Sequence, residues 1–193
     1  DGTRQQLDPI AETDSRTLLQ VTLQAPGIYR FTTGERLGRT GEIAFMDGNY
    51  IRIGSDGVPR EDLPEGADIL SSQTATVSDI YLRRGAGGGF SPTPIGRLAI
   101  TPLTDPTWIT PGDTLTLEVT FDGAPLANQP LSVFATSSAP EGIEHATGED
   151  GRFSLPVPPN ESALVLVRHI APAPKGADTD LRSYSSTLTI SAP

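Results

Sequence analysis

Residues Thr114–Phe121 alternate without a break. Leu115, Leu117, Val119 and Phe121 fall on one side of an extended chain, and Thr114, Thr116, Glu118 and Thr120 on the other. A period of two predicts a half-buried β-strand, because successive side chains of a strand point to opposite faces. The same pattern places Leu19, Val21 and Leu23 on one face of a strand over residues 17–23. It also sets Tyr184, Ser186, Leu188 and Ile190 against Ser185, Thr187 and Thr189 near the C-terminus. Further strands are predicted over residues 28–33, 43–46, 50–53, 74–82, 98–101, 131–136, 143–147, 153–157 and 163–170. The last of these is apolar on both faces and is expected to run centrally in its sheet.

Turn chemistry separates the segments. Asp47-Gly48, Asp56-Gly57, Asp122-Gly123 and Asp150-Gly151 readily reach the positive φ of tight hairpins. Pro26-Gly27 and Pro111-Gly112 mark turns of another type. No window shows a helical period, although residues 59–71 have room for one helical turn. The fold class predicted is all-β. Strands about 8–12 residues apart, with no recurring repeat length, predict sandwiches rather than a propeller or solenoid.

The best boundary is the stretch Arg83–Pro94, which is rich in glycine and proline and has no apolar period. It divides the chain into an N-terminal sandwich over residues 1–84, a linker over 85–94 and a C-terminal sandwich over 95–193. One larger sandwich with Gly85–Gly89 as an internal loop is the alternative.

Composition narrows the functional classes. The 20 glycines and 18 prolines among 193 residues exclude a helical bundle, yet stay below the level of aperiodic disordered chains. Lys and Arg number 14 against 24 Asp and Glu, a net charge of −10, which argues against nucleic acid or an anionic membrane as partner. The absence of cysteine removes disulfides, thiolate metal sites and cysteine nucleophiles together. No apolar run approaches the ~18 residues of a membrane span, and the first residues lack a signal-peptide pattern.

The second half has an ordered set of motifs. Pro111-Gly112-Asp113 opens a strand, and Asp122-Gly123-Ala124-Pro125-Leu126 follows it. After the next strand comes the hairpin Thr147–Phe153, reading TGEDGRF. This order resembles transthyretin-like and carboxypeptidase-regulatory-like sandwiches of the immunoglobulin type. Over nearly the whole length, Asp1-Gly2-Thr3, Ala25–Arg30 (APGIYR), Leu98–Pro106 (LAITPLTDP) and the ending Leu188-Thr189-Ile190 resemble a Gram-negative periplasmic family, the domain of unknown function 4198. Its members are often labelled periplasmic components of cobalt or nickel uptake systems. The resemblance therefore implies a periplasmic location behind a signal peptide, and a metal ion or a membrane transport component as partner. It also implies an upstream histidine-containing strand, so residues 17–23 are expected to have lost a neighbour. A segment preceding Asp1 would then pack beside the first sandwich.

Candidate chemistry is sparse. Only His145 and His169 offer imidazoles; with Glu144, Asp178 or Asp180 they provide donor types suited to Zn, Ni or Co. The metal candidates are His145, His169, Asp178 and Asp180. Against them, no HxH or HxxxH spacing is present, and surface or hydrogen-bonded histidines explain the pattern as simply. No G-x-S-x-G elbow supports a hydrolase, and 24 acids give a carboxylate pair no specificity. Gly85–Gly89 lacks the helix and Gly-Lys-Ser/Thr of a phosphate loop. Asp56, Glu61, Asp62, Glu65 and Asp68 supply hard oxygens for Ca²⁺ without an ordered calcium loop. Trp108, the single tryptophan, is expected to be buried at the domain junction; the alternative is an exposed ring stacking on a sugar. The resulting expectation is a non-catalytic periplasmic accessory or binding protein, associated with nickel or cobalt uptake and needing no cofactor beyond such an ion. A structural or adhesive sandwich acting through its edge strands is the alternative, and a hydrolase with a spatially assembled site the second.

Overall fold

The computed structural model describes residues 3–54, 57–110, 112–135, 138, 140–157 and 161–191. Asp1, Gly2, Asp56, Pro111 and Thr136, which carry parts of the turns, strands and clusters above, lie outside them. The described residues are strands and turns, with a single 3₁₀ turn at Arg60–Asp62. The all-β class is the observed one, and the predicted helical turn is that 3₁₀ turn.

The chain opens with β1 (Pro9–Glu12) and β2 (Thr17–Leu19), an antiparallel hairpin exposed throughout. The expected sandwich strand over residues 17–23 is therefore corrected. It is strand only to Leu19, its partner is β1, and Leu18 and Leu19 face solvent. A period of two records alternation but does not record whether anything covers the apolar side.

An eight-stranded sheet follows. Its strands are β3 (Gly27–Thr32), β4 (Arg36–Met46), β5 (Asn49–Arg52), β6 (Asp68–Arg84), β10 (Pro130–Ala135), β11 (Ile143–Ala146), β13 (Ser162–Pro172) and β14 (Leu181–Ser191). The order is β11-β10-β13-β14-β6-β4-β5, with β3 also on β6. As its two apolar faces require, β13 runs inside the sheet between β10 and β14. A four-stranded sheet packs over it, made of β7 (Leu98–Pro102), β8 (Thr114–Phe121), β9 (Ala124–Pro125) and β12 (Arg152–Pro156). Leu115, Leu117 and Val119 of β8 meet Val165 and Val167 of β13 and Leu188 of β14 in the core between the sheets.

The Asp-Gly motifs dock on one another. Thr147 donates its hydroxyl to the carbonyl of Leu126 (2.6 Å) and accepts from the Gln129 amide (2.9 Å). Gly151 has φ +74°, and a Cβ there would lie 2.8 Å from Pro125 Cβ and 2.9 Å from the Val119 carbonyl oxygen. The turn thus uses glycine both for its backbone and for the close approach.

Residues 85–94 carry no strand, and the sheet continues past them. β14 pairs in parallel with β6, from Leu181 opposite Ser72 to Thr189 opposite Ile80. The segment itself is pinned: Arg30 donates to the Thr93 carbonyl (2.5 Å), Arg83 to that of Gly87 (2.9 Å), and Phe90 sets its edge against Tyr81 at 5.6 Å.

Candidate functional site

His169 continues the inward face of β13 beyond Val165 and Val167, where the core runs out at one end of the sandwich. Its ring lies 4.6 Å from that of Phe121, the last inward residue of β8, and it pairs in register with Tyr184 of β14. Arg97, just before β7, reaches over these rings. Its Nε and Nη2 donate to the two carboxylate oxygens of Asp122 at 2.6 Å each, and its Nη1 donates to the Tyr184 hydroxyl at 2.5 Å. The guanidinium sits 4.8 Å above the Phe121 ring. Asp122 is aimed by its own turn, where φ is +52° before Gly123.

The electrostatics follow from this packing. Burial, then the Arg97 charge, holds His169 below the usual histidine range, although Asp122 opposes both. The Arg97 hydrogen bonds lower Asp122. Burial raises Tyr184 against the pull of Arg97. His169 Nδ1 lies 3.2 Å from Gln129 Oε1, while the Gln129 amide group donates to the Arg168 carbonyl. That network assigns the proton to Nδ1 and leaves Nε2 as an acceptor. The result is a neutral imidazole beside a permanent cation.

The other candidates lie elsewhere. His145, on β11 opposite Leu131, places its ring 4.9 Å from Phe153 of the other sheet. Asp180 accepts from the amide (2.8 Å) and hydroxyl (2.5 Å) of Ser71, bonds that lower its pKa. Asp178 is exposed, and Glu144 accepts from the Ser132 hydroxyl at 2.6 Å. Glu61, Asp62, Glu65 and Asp68 are exposed around the 3₁₀ turn. Among the described residues no group of three or more His, Cys, Asp or Glu is placed to hold a metal ion. The donor set does not fit a nickel or cobalt centre. His169 has a guanidinium close by and spends Nδ1 on Gln129, and Asp180 is spent on Ser71.

Trp108 departs from expectation. It is 69% exposed, and its neighbour Ile109 takes the buried position instead. The indole lies over the guanidinium of Arg83 at 5.0 Å. Arg83, only 14% exposed in its side chain, is held by the Asp105 carboxylate, by Thr107 Oγ1 (3.1 Å) and by the Gly87 carbonyl. Asp105 in turn accepts from the amide (2.9 Å) and hydroxyl (2.6 Å) of Thr107. An open cleft beside the ring is lined by Thr104, Asp105, Trp108, Ile109, Asp113 and Thr114. Asp113 accepts from the amide (2.7 Å) and hydroxyl (2.8 Å) of Thr110, bonds that lower its pKa. Sequence reasoning named Trp108 but missed Arg83, Arg97 and Tyr184, whose partners lie far along the chain.

The family model of a domain of unknown function (DUF4198) matches residues 1–171. No curated protein matches the chain.

Proposed function

The chain belongs to the DUF4198 family, and from that premise we propose that it is a non-catalytic accessory or binding protein of the Gram-negative periplasm. The observation that supports this reading is the use made of Arg97, Asp122, Tyr184 and His169. Arg97, Asp122 and Tyr184 are spent on one another and His169 Nδ1 on Gln129, so the set braces the strands and none of its hydrogen bonds joins a nucleophile to His169 Nε2. A part in nickel or cobalt uptake would run through contact with a transport component, since the donors at His145, His169, Asp178 and Asp180 are dispersed.

Calorimetric titration with NiCl₂ and CoCl₂ tests this. The expected result is no stoichiometric heat, unchanged in a His145→Ala/His169→Ala variant. One-to-one binding lost in that variant would overturn the indirect role in uptake and make the chain itself a metal-binding protein. Fractionation of the native host tests the location: recovery in the cytosol would contradict it.

The exposed apolar hairpin favours a second reading. Ile10, Leu18 and Leu19 are each left exposed on its two faces, which suits an interaction module acting through its strands.

A further inference from the structure

Trp108 is fixed in place rather than buried. A tryptophan left in water at 69% exposure loses most of the gain from burial, yet a guanidinium with three partners of its own braces one of its faces. Side-chain hydrogen bonds from Thr107 to Asp105 and from Thr110 to Asp113 fix residues on either side of the ring. The outcome is a rigid aromatic platform with polar groups along its rim.

The chemistry of the rim selects the ligand. Anions are repelled by Asp113, and no basic side chain is among the described residues that line the cleft. Asp105 is neutralised by Arg83, whereas the Asp113 carboxylate has Thr110 as its partner among the described residues, and those bonds favour its ionised form. Organic cations are disfavoured at the ring, since the guanidinium already draws on its negative π-face and a second cation opposite would be repelled by the first. A neutral molecule with an apolar face and a hydroxylated edge meets neither penalty. Its C–H face covers the indole, and the second oxygen of Asp113 accepts from a hydroxyl. Thr104 Oγ1 already accepts from the Thr116 amide at 3.1 Å, so its own proton is free to donate. We infer that the Trp108 cleft is a saccharide-binding site that takes one pyranose ring against the indole, with Asp113 and Thr104 reading its hydroxyls. This rests on the reading of the chain as a binding protein and adds a ligand class to it.

Trp108 is the single tryptophan, so intrinsic fluorescence reports on this cleft alone. Titration of the full chain with cellohexaose and with chitohexaose is expected to shift and saturate the emission for at least one glycan. One aromatic platform implies a Kd in the millimolar to high micromolar range, about −4 to −5.5 kcal/mol. Asp113→Asn keeps an oxygen for Thr110 and is expected to weaken binding at least fivefold. Trp108→Ala, read by retardation in glycan-containing gels, is expected to abolish it while leaving thermal unfolding unchanged. Emission unmoved by both glycans, or moved only by an amine such as choline, overturns the saccharide site and leaves the non-catalytic reading standing. Release of new reducing ends from a bound glycan overturns the non-catalytic reading and keeps the saccharide site.

Discussion

Arg30 and Asp79 form a two-point ion pair on the inner face of the large sheet. Nε donates to Oδ1 at 3.0 Å and Nη2 to Oδ2 at 2.5 Å, with the carboxylate side chain 2% exposed. The pair ties β3 to β6 and lies beside Tyr81, over whose ring the guanidinium also sits at 5.5 Å. Removing one partner leaves an uncompensated, poorly hydrated charge. Asp79→Leu is therefore expected to destabilise the protein by about 3–5 kcal/mol in urea unfolding. The double variant Arg30→Met/Asp79→Leu should recover most of that loss. Equal destabilisation in the single and double variants would show that packing, not charge, is at stake.

Tyr81 is pushed up to about 12 from an ordinary value of 10.0, chiefly by burial, with Arg30 opposing and Asp79 adding. Its phenol proton is retained longer in the folded chain than in the unfolded one. Stability should be intact below pH 10 and fall between pH 10 and about 12, as the unfolded state alone releases the proton. The hydroxyl has no hydrogen-bond partner, so Tyr81→Phe should be neutral or stabilising by about 1 kcal/mol and should remove this alkaline slope.

His169 gives the opposite window. Burial and Arg97 depress its folded pKa below 6.5, so as the pH drops the unfolded chain takes up a proton first. Its contribution is present above pH 6.5 and is lost on acidification through the folded value. Urea midpoints measured from pH 7.5 down to 4.5 should decline less steeply in His169→Gln than in the wild type. Proton NMR should place the His169 ring titration below that of a histidine in a denatured control.

Gly151→Ala should destabilise the protein by more than about 1 kcal/mol, because a β-carbon would meet the Val119 carbonyl and Pro125 at a φ that alanine resists. Gly176→Ala is the control. It has φ +86° with open space around it, so it carries the backbone cost without the clash. Similar losses in both would remove the steric part of the argument.

Local signals were well expressed in the sequence. The alternation at Thr114–Phe121 corresponds to β8 residue for residue, and Asp122-Gly123 takes the positive φ its chemistry invites. The first half of β4, Arg36 to Glu42, was not legible. It is polar and interrupted by Gly38 and Gly41, and its strand character comes from pairing with β6 rather than from a pattern of its own. Trp108 and Ile109 show the same limit at a candidate site. Ile109 is buried and Trp108 is not, and the placing of the indole depends on Arg83, 25 positions upstream in the sequence and brought to its ring only by the fold. The Arg97, Asp122, Tyr184 and His169 cluster joins four strand ends, and no spacing rule encodes it.

The parallel union of β6 with β14 also has a cost in time. Ser71 and Asp180, at its start, are 109 residues apart. At about 5–20 residues added per second, synthesis exposes β6 for roughly 5–20 s before its partner exists. During that interval one side of a long strand offers unpaired amides and carbonyls to any other extended chain nearby. β14 therefore acts as a seal, and a nascent chain interrupted before it would leave the ribosome with an open edge on β6 ready to join another.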